Sequence, residues 1–318
     1  MSNAGTSRPS RPRFHSPTVS DSSLRESARG KHMQFWQSLI FCESDQLVEI
    51  APLIEGLGYT GVVLPDHVAL PDQAHSSYPY SEYELDPKAP FLDPWPAITA
   101  MAAVTQRLRF STYVYILPMR DPFSVAKSVA TASILSQGRV ALGLGVGWLA
   151  EEVEILGHRF AGRGARSDEM IEILRHLWQT GSAEFHGEHF DFPLLYAEPQ
   201  PDDPIPIYVG GHTEAAIRRA ARCDGWMGLD FAVEEIPAIV ERIRKAVDRE
   251  KRSLAAAPET PFEIILSPRA EPSQDLYRRL EDMGVTGVVL PSWSLQEGDF
   301  ASAGAKHRQL EDFAEAFL

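Results

Sequence analysis

Cysteine is scarce in this sequence: Cys42 and Cys223 are the two cysteines among 318 residues. They lie far apart along the chain and match no spacing of metal ligands, so the sequence offers no cysteine-based metal site. We expect each to behave as a small buried hydrophobic residue in a reducing compartment, the cytoplasm.

Long apolar runs and a positive charge balance are also absent. No uninterrupted apolar stretch approaches the roughly 20 residues that a membrane-spanning helix needs. The chain carries 30 Lys and Arg against 44 Asp and Glu, a formal net charge of −14. Nucleic acids and anionic membranes require clustered basic residues, so we expect neither as a partner. With 44% hydrophobic residues, the chain has enough apolar side chains for a large core.

Several catalytic motifs are missing as well. There is no His-x-His pair after the first strand, no Gly-x-Ser-x-Gly turn, no P-loop and no Lys at a strand end that could form an imine. These absences disfavour a metal hydrolase or an aldolase, and we predict no metal site.

The first 32 residues differ from the rest of the chain. They are rich in Ser, Arg and Pro and show no apolar periodicity, so they cannot bury enough surface to become ordered. They also lack the apolar core of a secretory signal. We therefore expect a disordered leader at 1–32 and a single domain at 33–318.

From Met33 onward, short apolar runs alternate with amphipathic stretches of helical period. Eight of these runs are apolar on both faces, as the strands of a parallel barrel must be. The predicted fold is therefore α/β, a (β/α)8 TIM barrel with insertion segments over the C-terminal face. The predicted strands are Phe35–Phe41, Thr60–Pro65, Leu108–Leu117, Arg139–Gly145, Ile205–Gly211, Gly225–Asp230, Phe262–Ser267 and Thr286–Pro291.

One six-residue run, Thr-Gly-Val-Val-Leu-Pro, occurs at 60–65 and again at 286–291. Each copy follows a helical stretch that ends in glycine, Gly58 or Gly284. We interpret the copies as equivalent βα units, the second and eighth strands, in which Val-Val-Leu fills the barrel interior and Pro ends the strand. The alternative is a chance match of ordinary strand composition.

Two longer segments interrupt the alternation. Residues 69–93 are rich in Pro, Tyr, Ser and Asp, and a loop of this length in a compact domain is usually a lid or a binding loop. Residues 157–204 contain a helical stretch and a hairpin-like pair of strands that turns at His186-Gly187.

The catalytic face of such a barrel lies at the carboxyl ends of its strands, so the residues there are the candidates. Asp66 and His67 follow the second strand, and His67 could transfer a proton near neutral pH. Asp66 would orient His67 or cap a turn. A structural histidine bonded to a backbone carbonyl is the alternative.

The run "GLGVGW" at 143–148 follows the fourth strand. Its alternating glycines would let the backbone approach a planar cofactor closely, although close packing within the barrel is an alternative. It fails the Gly-x-Gly-x-x-Gly dinucleotide fingerprint because Trp148 occupies the sixth place.

Two further segments could bind an anion. "VGGHT" at 209–213 opens a helix, and its glycines, hydroxyl and free N–H groups favour phosphate binding, although Thr213 could be a simple N-cap. Arg163 and Arg166 precede an acidic helical turn and could also bind an anion, or could be solvated surface arginines.

Taken together, "QGRVALGLGVGW", "RGARSDEMIEILRHLW" and "VGGHT" closely resemble motifs of the luciferase-like monooxygenase superfamily, best in its F420-dependent oxidoreductase branch. The resemblance implies a TIM barrel that binds coenzyme F420, a deazaflavin, or alternatively FMN. It implies that His67 stands beside the reactive ring carbon and that Asp66, Arg163 and Arg166 help to bind the cofactor. The ring would contact Val114, Tyr115, Gly145, Val146, Gly147 and Trp148, and the phosphate would bind at Gly210, Gly211, His212 and Thr213.

The resemblance implies further features. It predicts a non-proline cis peptide at Val114–Tyr115 and a homodimer. Residues alone would assign Val114 and Tyr115 to core packing. A substrate side lined by aromatic residues is a further interpretation, with ordinary surface aromatics as its alternative; the candidates are Tyr78, Tyr80, Tyr83 and Trp293.

The predicted function is hydride transfer between F420 and a small organic substrate, with His67 as the proton donor or orienting group. Basic residues beyond the phosphate site favour the longer acidic tail of F420; they are Arg120, Arg163, Arg166 and Arg218. One rival is an FMN-dependent monooxygenase that consumes O₂ and receives reduced flavin from a partner reductase. The other is a barrel that binds a ligand without catalysis.

Overall fold

The computed structural model describes residues 33–79, 85–253, 261–293 and 302–318. The leader at 1–32 and the side chains of Tyr80 and Tyr83 lie outside the described residues.

The described strands form a closed parallel barrel, which confirms the predicted fold. All pairings in this barrel are parallel. The last strand, Gly287–Leu290, pairs with the first, Gln34–Ser38, and the pairing of Arg109–Thr112 with Val140–Gly145 keeps the ring continuous. The barrel strands are β1 Gln34–Ser38, β2 Gly61–Leu64, β3 Arg109–Thr112, β4 Tyr115–Ile116, β5 Val140–Gly145, β8 Ile207–Gly210, β9 Gly225–Ala232, β10 Glu263–Arg269 and β11 Gly287–Leu290. The remaining two, β6 Ser182–His186 and β7 Asp191–Tyr196, form a separate antiparallel hairpin.

Helices follow the strands and cover the outside of the barrel. They are α1 Leu47–Gly56, α2 Pro94–Ala102, α3 Pro122–Ser136, α4 Ala150–Ile155, α5 Arg163–Thr180, α6 Glu214–Ala221, α7 Ile236–Ser253, α8 Gln274–Met283 and α9 Ala303–Phe317. Their apolar faces and the outward faces of the strands form the main core. Within the described residues, no helix combines the length and the apolar character that a bilayer span requires.

A second, smaller core fills the barrel itself. It takes one side chain from each of seven strands and none from a helix, as expected where inward-facing residues of a barrel meet in layers. Its members are Trp36, Val63, Ala141, Tyr208, Met227, Ile265 and Val289.

The two copies of Gly-Val-Val-Leu are structurally equivalent, as predicted. They form β2 and β11, the two strands that pair with β1, and every residue of both is buried. Gly58 and Gly284 before them have φ angles of 95° and 88°, which are accessible to glycine but strained for other residues. The prediction that Val-Val-Leu fills the interior is wrong in part. Side chains alternate along a strand, so only Val63 and Val289 point inward while their neighbours pack against helices.

The third predicted strand, Leu108–Leu117, is divided into β3 and β4. The break lies at Tyr113 and Val114, whose peptide bond is cis. The predicted position of this bond, Val114–Tyr115, is therefore wrong by one residue. Tyr115 already pairs with Leu144 in the regular register of β4 and β5, so the irregular bond falls before it.

The two segments that interrupt the alternation differ in structure. The segment 157–204 contains α5 and the hairpin, whose strands end at His186 and resume at Asp191, close to the predicted turn. The described residues of 69–93 contain neither helix nor strand. The two cysteines are free and buried, and burial raises the pKa of each thiol to about 11, as suits small hydrophobic residues.

Candidate active site

The candidate residues lie at the carboxyl ends of the strands and are linked by direct contacts. Val114 lies between two strand ends: a Cβ added to Gly145 would stand 2.6 Å from Val114 Cγ2, and one added to Gly210 would stand 2.7 Å from Val114 Cγ1. Trp148 follows β5, and its ring lies edge-on to His67 with the centroids 6.3 Å apart. The structure therefore brings the residues after the second, third, fourth and fifth barrel strands into one site.

His67 is bonded to a residue that the sequence analysis did not select. Its Nδ1 lies 2.7 Å from Oε2 of Glu152, a residue of α4. The side chain of His67 is 11% exposed and that of Glu152 is fully buried. No hydrogen bond to Nε2 of His67 is found in the part of the chain that the structure describes.

The carboxylate of Glu152 also fixes the backbone after His67. Its Oε1 accepts hydrogen bonds from the N–H groups of Val68 at 2.6 Å and Ala69 at 3.1 Å. Burial alone would raise the pKa of Glu152, but the bonds from His67, Val68 and Ala69 stabilise the charged form and lower it. Glu152 is therefore an ionised carboxylate, and it acts only as an acceptor.

The preceding residue, Glu151, binds the same insertion further along. Its Oε1 accepts from the backbone N–H groups of His75 at 2.7 Å and Ser76 at 3.0 Å, and Ser76 Oγ accepts from the N–H of Ala150 at 3.2 Å. A hydrogen bond from the side chain of Ser76, together with the backbone bonds, lowers the pKa of Glu151 to about 2. The first part of the segment 69–93 is thus attached to α4 at two points.

Asp66 does not bond to His67, so the prediction that it orients the imidazole is wrong. Its carboxylate accepts two bonds from the guanidinium of Arg120, both at 2.7 Å, and a third from the N–H of Ile116 at 2.8 Å. Asp66 is fully buried, and Arg120 is the nearest cation that can compensate it. Through these bonds Asp66 connects the end of β2 to β4 and to the residues that follow it. Arg120 is therefore a structural partner of Asp66 and not a free cation that could bind a cofactor tail.

Aromatic side chains surround His67. Phe91, from the end of the insertion, lies edge-on to the imidazole with the centroids 4.7 Å apart. Tyr78 lies edge-on to Trp148 at 5.4 Å, which supports a place for Tyr78 in the site. Trp293 does not line a substrate surface in this structure. It is 2% exposed within the main core, with the ammonium of Lys306 5.7 Å from its ring.

The glycines of "GLGVGW" face other parts of the chain. A Cβ at Gly143 would collide with the carbonyl of Thr112, one at Gly145 would meet Val114, and one at Gly147 would lie 2.7 Å from Ile116. These contacts correspond to the alternative interpretation, close packing within the barrel. Ring contacts of Gly145, Val146 and Gly147 stay predictions.

Tyr115 belongs to the core, as the residues alone suggested. It is 4% exposed, its ring lies edge-on to Trp95 at 5.6 Å, and the guanidinium of Arg120 lies 4.0 Å from its centroid. Contact between its side chain and a cofactor is therefore not supported. Tyr113, which the sequence analysis passed over, donates a hydrogen bond from its hydroxyl to the carbonyl of Gly228.

Arg163 and Arg166 lie in the first turn of α5 and are bonded only to carbonyls. Arg163 donates from Nε to the carbonyl of Gly147 at 3.1 Å, and Arg166 donates to that of Arg120 at 3.1 Å. No carboxylate lies within salt-bridge distance of either in the residues that the structure describes, and Nε of Arg166 is buried without a hydrogen-bond partner. Burial lowers the pKa of both guanidinium groups. Both cations are partly desolvated and neither forms a salt bridge within the described residues, although the charge of Asp121 acts on Arg166; such cations fit an anionic ligand.

The segment after β8 has the geometry of a helix N-terminus. Thr213 caps α6, since its hydroxyl accepts from the N–H of Ala216 at 3.2 Å. Trp226 donates to the carbonyl of Gly211 at 2.8 Å, and the ring of His212 packs on Phe231 at 4.4 Å. Burial, with Arg242 nearby, lowers the pKa of His212, which favours its neutral form. The N-cap role of Thr213 does not exclude phosphate binding, because the hydroxyl can still donate.

Sequence reasoning missed Glu152 because the run Glu151-Glu152 looks like an ordinary acidic first turn of a helix. One signal was available. Glu152 is adjacent to the apolar Val153, and both are buried on the side of α4 that faces the barrel. A glutamate on the buried side of a helix needs a polar partner, and that partner comes from a loop after another strand. Which strand that is depends on the closed barrel and not on local pattern.

The sequence matches the family described as luciferase-like monooxygenase over residues 25–314. An uncharacterised protein of Mycobacterium tuberculosis is 40% identical over 246 residues, which cover 76% of this chain and 83% of that protein. The F420-dependent glucose-6-phosphate dehydrogenase of Amycolatopsis mediterranei is 29% identical over 206 residues, which cover 61% of this chain and 58% of that enzyme.

A solved structure with a similar fold is an F420-dependent secondary alcohol dehydrogenase in complex with an F420–acetone adduct. Its TM-score is 0.68 at 17% identity, and the match covers 89% of this chain and 98% of that one. At that identity, the likeness concerns the fold.

Proposed function

The chain belongs to the luciferase-like monooxygenase family, and from that premise we propose that it is an F420-dependent oxidoreductase, which transfers hydride to or from a small organic substrate. Its similarity to the F420-dependent glucose-6-phosphate dehydrogenase supports the deazaflavin as the cofactor.

The observation that carries the cofactor assignment is the pair of arginines at the start of α5. Coenzyme F420 has a phosphate and a longer acidic tail, so it requires cations that are not neutralised by the protein. Arg163 meets this requirement, and Arg166 meets it in part because Asp121 lies near it without a salt bridge, on a chain whose net charge is −14. Arg120 does not, because Asp66 binds it, and Arg218 is exposed on α6.

When bound, F420 supplies the carbon that accepts or donates the hydride. The protein's part is to bind and orient the reactants and to exchange a proton. We assign the phosphate to Gly210, Gly211, His212 and Thr213, at the N-terminus of α6. His67 exchanges a proton with the substrate through Nε2, while the rings of Trp148 and Phe91 limit the access of water to it.

An FMN-dependent monooxygenase is the second candidate, and the family description itself favours it. Such an enzyme would receive reduced flavin from a partner reductase. The third candidate is a barrel that binds a ligand without catalysis; we place it last because His67, oriented by Glu152, is suited to proton exchange.

The first experiment is a fluorescence titration of the purified full chain with F420 and, separately, with FMN. We expect tighter binding of F420, and we expect Arg163→Met to weaken it by about 1.5–3 kcal/mol, at least tenfold, through loss of a charge-assisted contact. Arg278→Met is the matched control, since Arg278 is exposed on α8 and changes the net charge equally. Preferential binding of FMN would assign the protein to the oxygen-using class, and binding of neither would refute the cofactor site.

We further infer a cytoplasmic homodimer, in keeping with two free, buried cysteines and the family resemblance. Size-exclusion chromatography with light scattering would test the oligomeric state.

A further inference from the structure

We propose that Glu152 is a positioning residue, which fixes His67 in the tautomer that carries its proton on Nδ1 and so leaves Nε2 as the atom that exchanges protons. The inference rests on the proposed function only where it gives Nε2 a catalytic role. The tautomer itself is a property of the protein alone.

The geometry divides the two oxygens of Glu152 between two tasks. Oε1 is held by the N–H groups of Val68 and Ala69, at 2.6 and 3.1 Å. Oε2 is therefore the oxygen that faces Nδ1 of His67, at 2.7 Å. Because the backbone of residues 68 and 69 fixes the carboxylate, the oxygens cannot exchange places without breaking two hydrogen bonds.

An ionised carboxylate can only accept a hydrogen bond, so the partner nitrogen must donate. A neutral imidazole carries one N–H, and that N–H must then be on Nδ1. Nε2 consequently has a free lone pair in the neutral form and an N–H in the protonated form. It can take a proton from a substrate or return one, whereas Nδ1 cannot.

Few other charged groups face the imidazole. Asp66 precedes it in the chain, but both of its oxygens are engaged by Arg120 and Ile116. The side chains packed against the ring from the insertion and from the loop after β5 are the aromatic residues Phe91 and Trp148. The tautomer is thus set by Glu152 and not by a competing donor or acceptor in the described residues.

The isosteric change Glu152→Gln should invert the tautomer rather than merely loosen it. The amide oxygen has to replace Oε1, since the N–H groups of Val68 and Ala69 need an acceptor there. The amide NH₂ then faces Nδ1 and donates to it, so that Nδ1 becomes the acceptor and the proton moves to Nε2. The shape of the site and the attachment of the loop are kept.

Glu151→Gln is the matched control. Glu151 is the adjacent residue of α4, makes the same kind of bonds to backbone N–H groups through Oε1, and has no hydrogen bond to His67. It changes the net charge by the same amount. Its amide oxygen can keep both bonds to the loop.

The test is ¹⁵N NMR of the imidazoles in the full chain without cofactor, at a pH where His67 is neutral. The signals of His67 are assigned by their loss in His67→Asn. In the wild type we expect the upfield, protonated nitrogen to be Nδ1. We expect the assignment to reverse in Glu152→Gln and to stay unchanged in Glu151→Gln. Protonation of Nε2 in the wild type would overturn the proposal, as would an unchanged tautomer in folded Glu152→Gln.

The catalytic consequence is measured separately. With an accepted substrate, Glu152→Gln should lower kcat by at least 100-fold while the dissociation constant of F420 changes less than threefold. If the NMR experiment gives the expected tautomers but F420 does not bind, the proposed function is refuted and the positioning role of Glu152 remains supported. F420 binding with a wild-type kcat in Glu152→Gln would refute the role of Glu152 alone.

Discussion

Replacement of Arg120 by Met should cost the protein a large part of its stability. The change leaves the fully buried carboxylate of Asp66 without a counter-charge, and breaking a buried pair from one side costs about 3–5 kcal/mol. Asp66 keeps its bond from Ile116, which favours the lower end. Loss of the cation over the ring of Tyr115 adds about 0.5–1 kcal/mol. We therefore expect a decrease of about 4 kcal/mol in the free energy of unfolding, measured in urea at pH 7.

The pH dependence of this loss has a definite sign. Burial raises the pKa of Asp66 in the folded state, and in the wild type Arg120 opposes the rise. In the variant Arg120 no longer opposes this rise, so the loss of stability caused by the buried charge is complete at a pH above the pKa of Asp66 in the folded state. The loss vanishes at a pH below the pKa of Asp66 in the unfolded chain, about 3.9, where the carboxyl is neutral in both states. The variant should accordingly approach the wild type as the pH falls from 7 towards 4.

Two controls isolate the buried charge. Asp66→Asn combined with Arg120→Met removes both charges and should recover all but about 1–2 kcal/mol. Arg175→Met breaks a half-exposed pair with Asp224, which should cost less than about 1 kcal/mol. If Arg120→Met lost no more than Arg175→Met, or if its loss did not shrink with falling pH, the structural role given to Asp66 would be refuted.

Two further predictions concern glycines. Gly58→Ala should destabilise the protein by about 1–2 kcal/mol, because φ is 95° there and no atom lies within 4 Å of the added Cβ, so strain acts alone. Gly56→Ala, at the equally uncrowded end of α1, should instead stabilise the protein by about 0.4–1 kcal/mol. Urea unfolding of the two variants would contradict this reasoning if both changed the free energy of unfolding in the same direction. Gly210→Ala places a Cβ 2.7 Å from Val114 and should cost about 1–3 kcal/mol, and Val114→Ala should restore most of this loss in the double variant. Additive losses in that double variant would show that Val114 is not the obstacle.

The barrel could be predicted from sequence because its determinants are local. Strands such as β5 are buried on both faces and therefore read as continuous apolar runs, and glycine or proline marks their ends. The repeated Gly-Val-Val-Leu identified two equivalent strands for the same reason. The cis bond was placed one residue too late, at Val114–Tyr115, and the division of the third strand at Tyr113 and Val114 was not predicted, since the run itself is continuous in apolar and β-branched residues.

The partners of the site could not be predicted, because they depend on which strand ends become neighbours. Asp66 and Arg120 are 54 positions apart, and His67 and Glu152 are 85 apart. Sequence pattern gave His67 its place at a strand end but assigned it to the wrong carboxylate, the adjacent Asp66. Asp66, the nearest acid in the sequence, was the simpler hypothesis for the partner of His67. Closure of the barrel instead brings Glu152 to His67 and Arg120 to Asp66.

The attachment of the 69–93 segment to Glu151 and Glu152 makes this loop a replaceable module. The four N–H groups that bind the two carboxylates belong to the backbone, so the side chains at residues 68, 69 and 75 can vary without loss of these bonds, whereas the hydroxyl of Ser76 is itself an anchor. The stretch between Ser76 and Phe91 supplies none of these anchors, so its length and sequence can change while the anchors and the packing of Phe91 on His67 are kept. A protein engineer could exchange that stretch between relatives and alter what the barrel accepts, while His67 keeps its orientation.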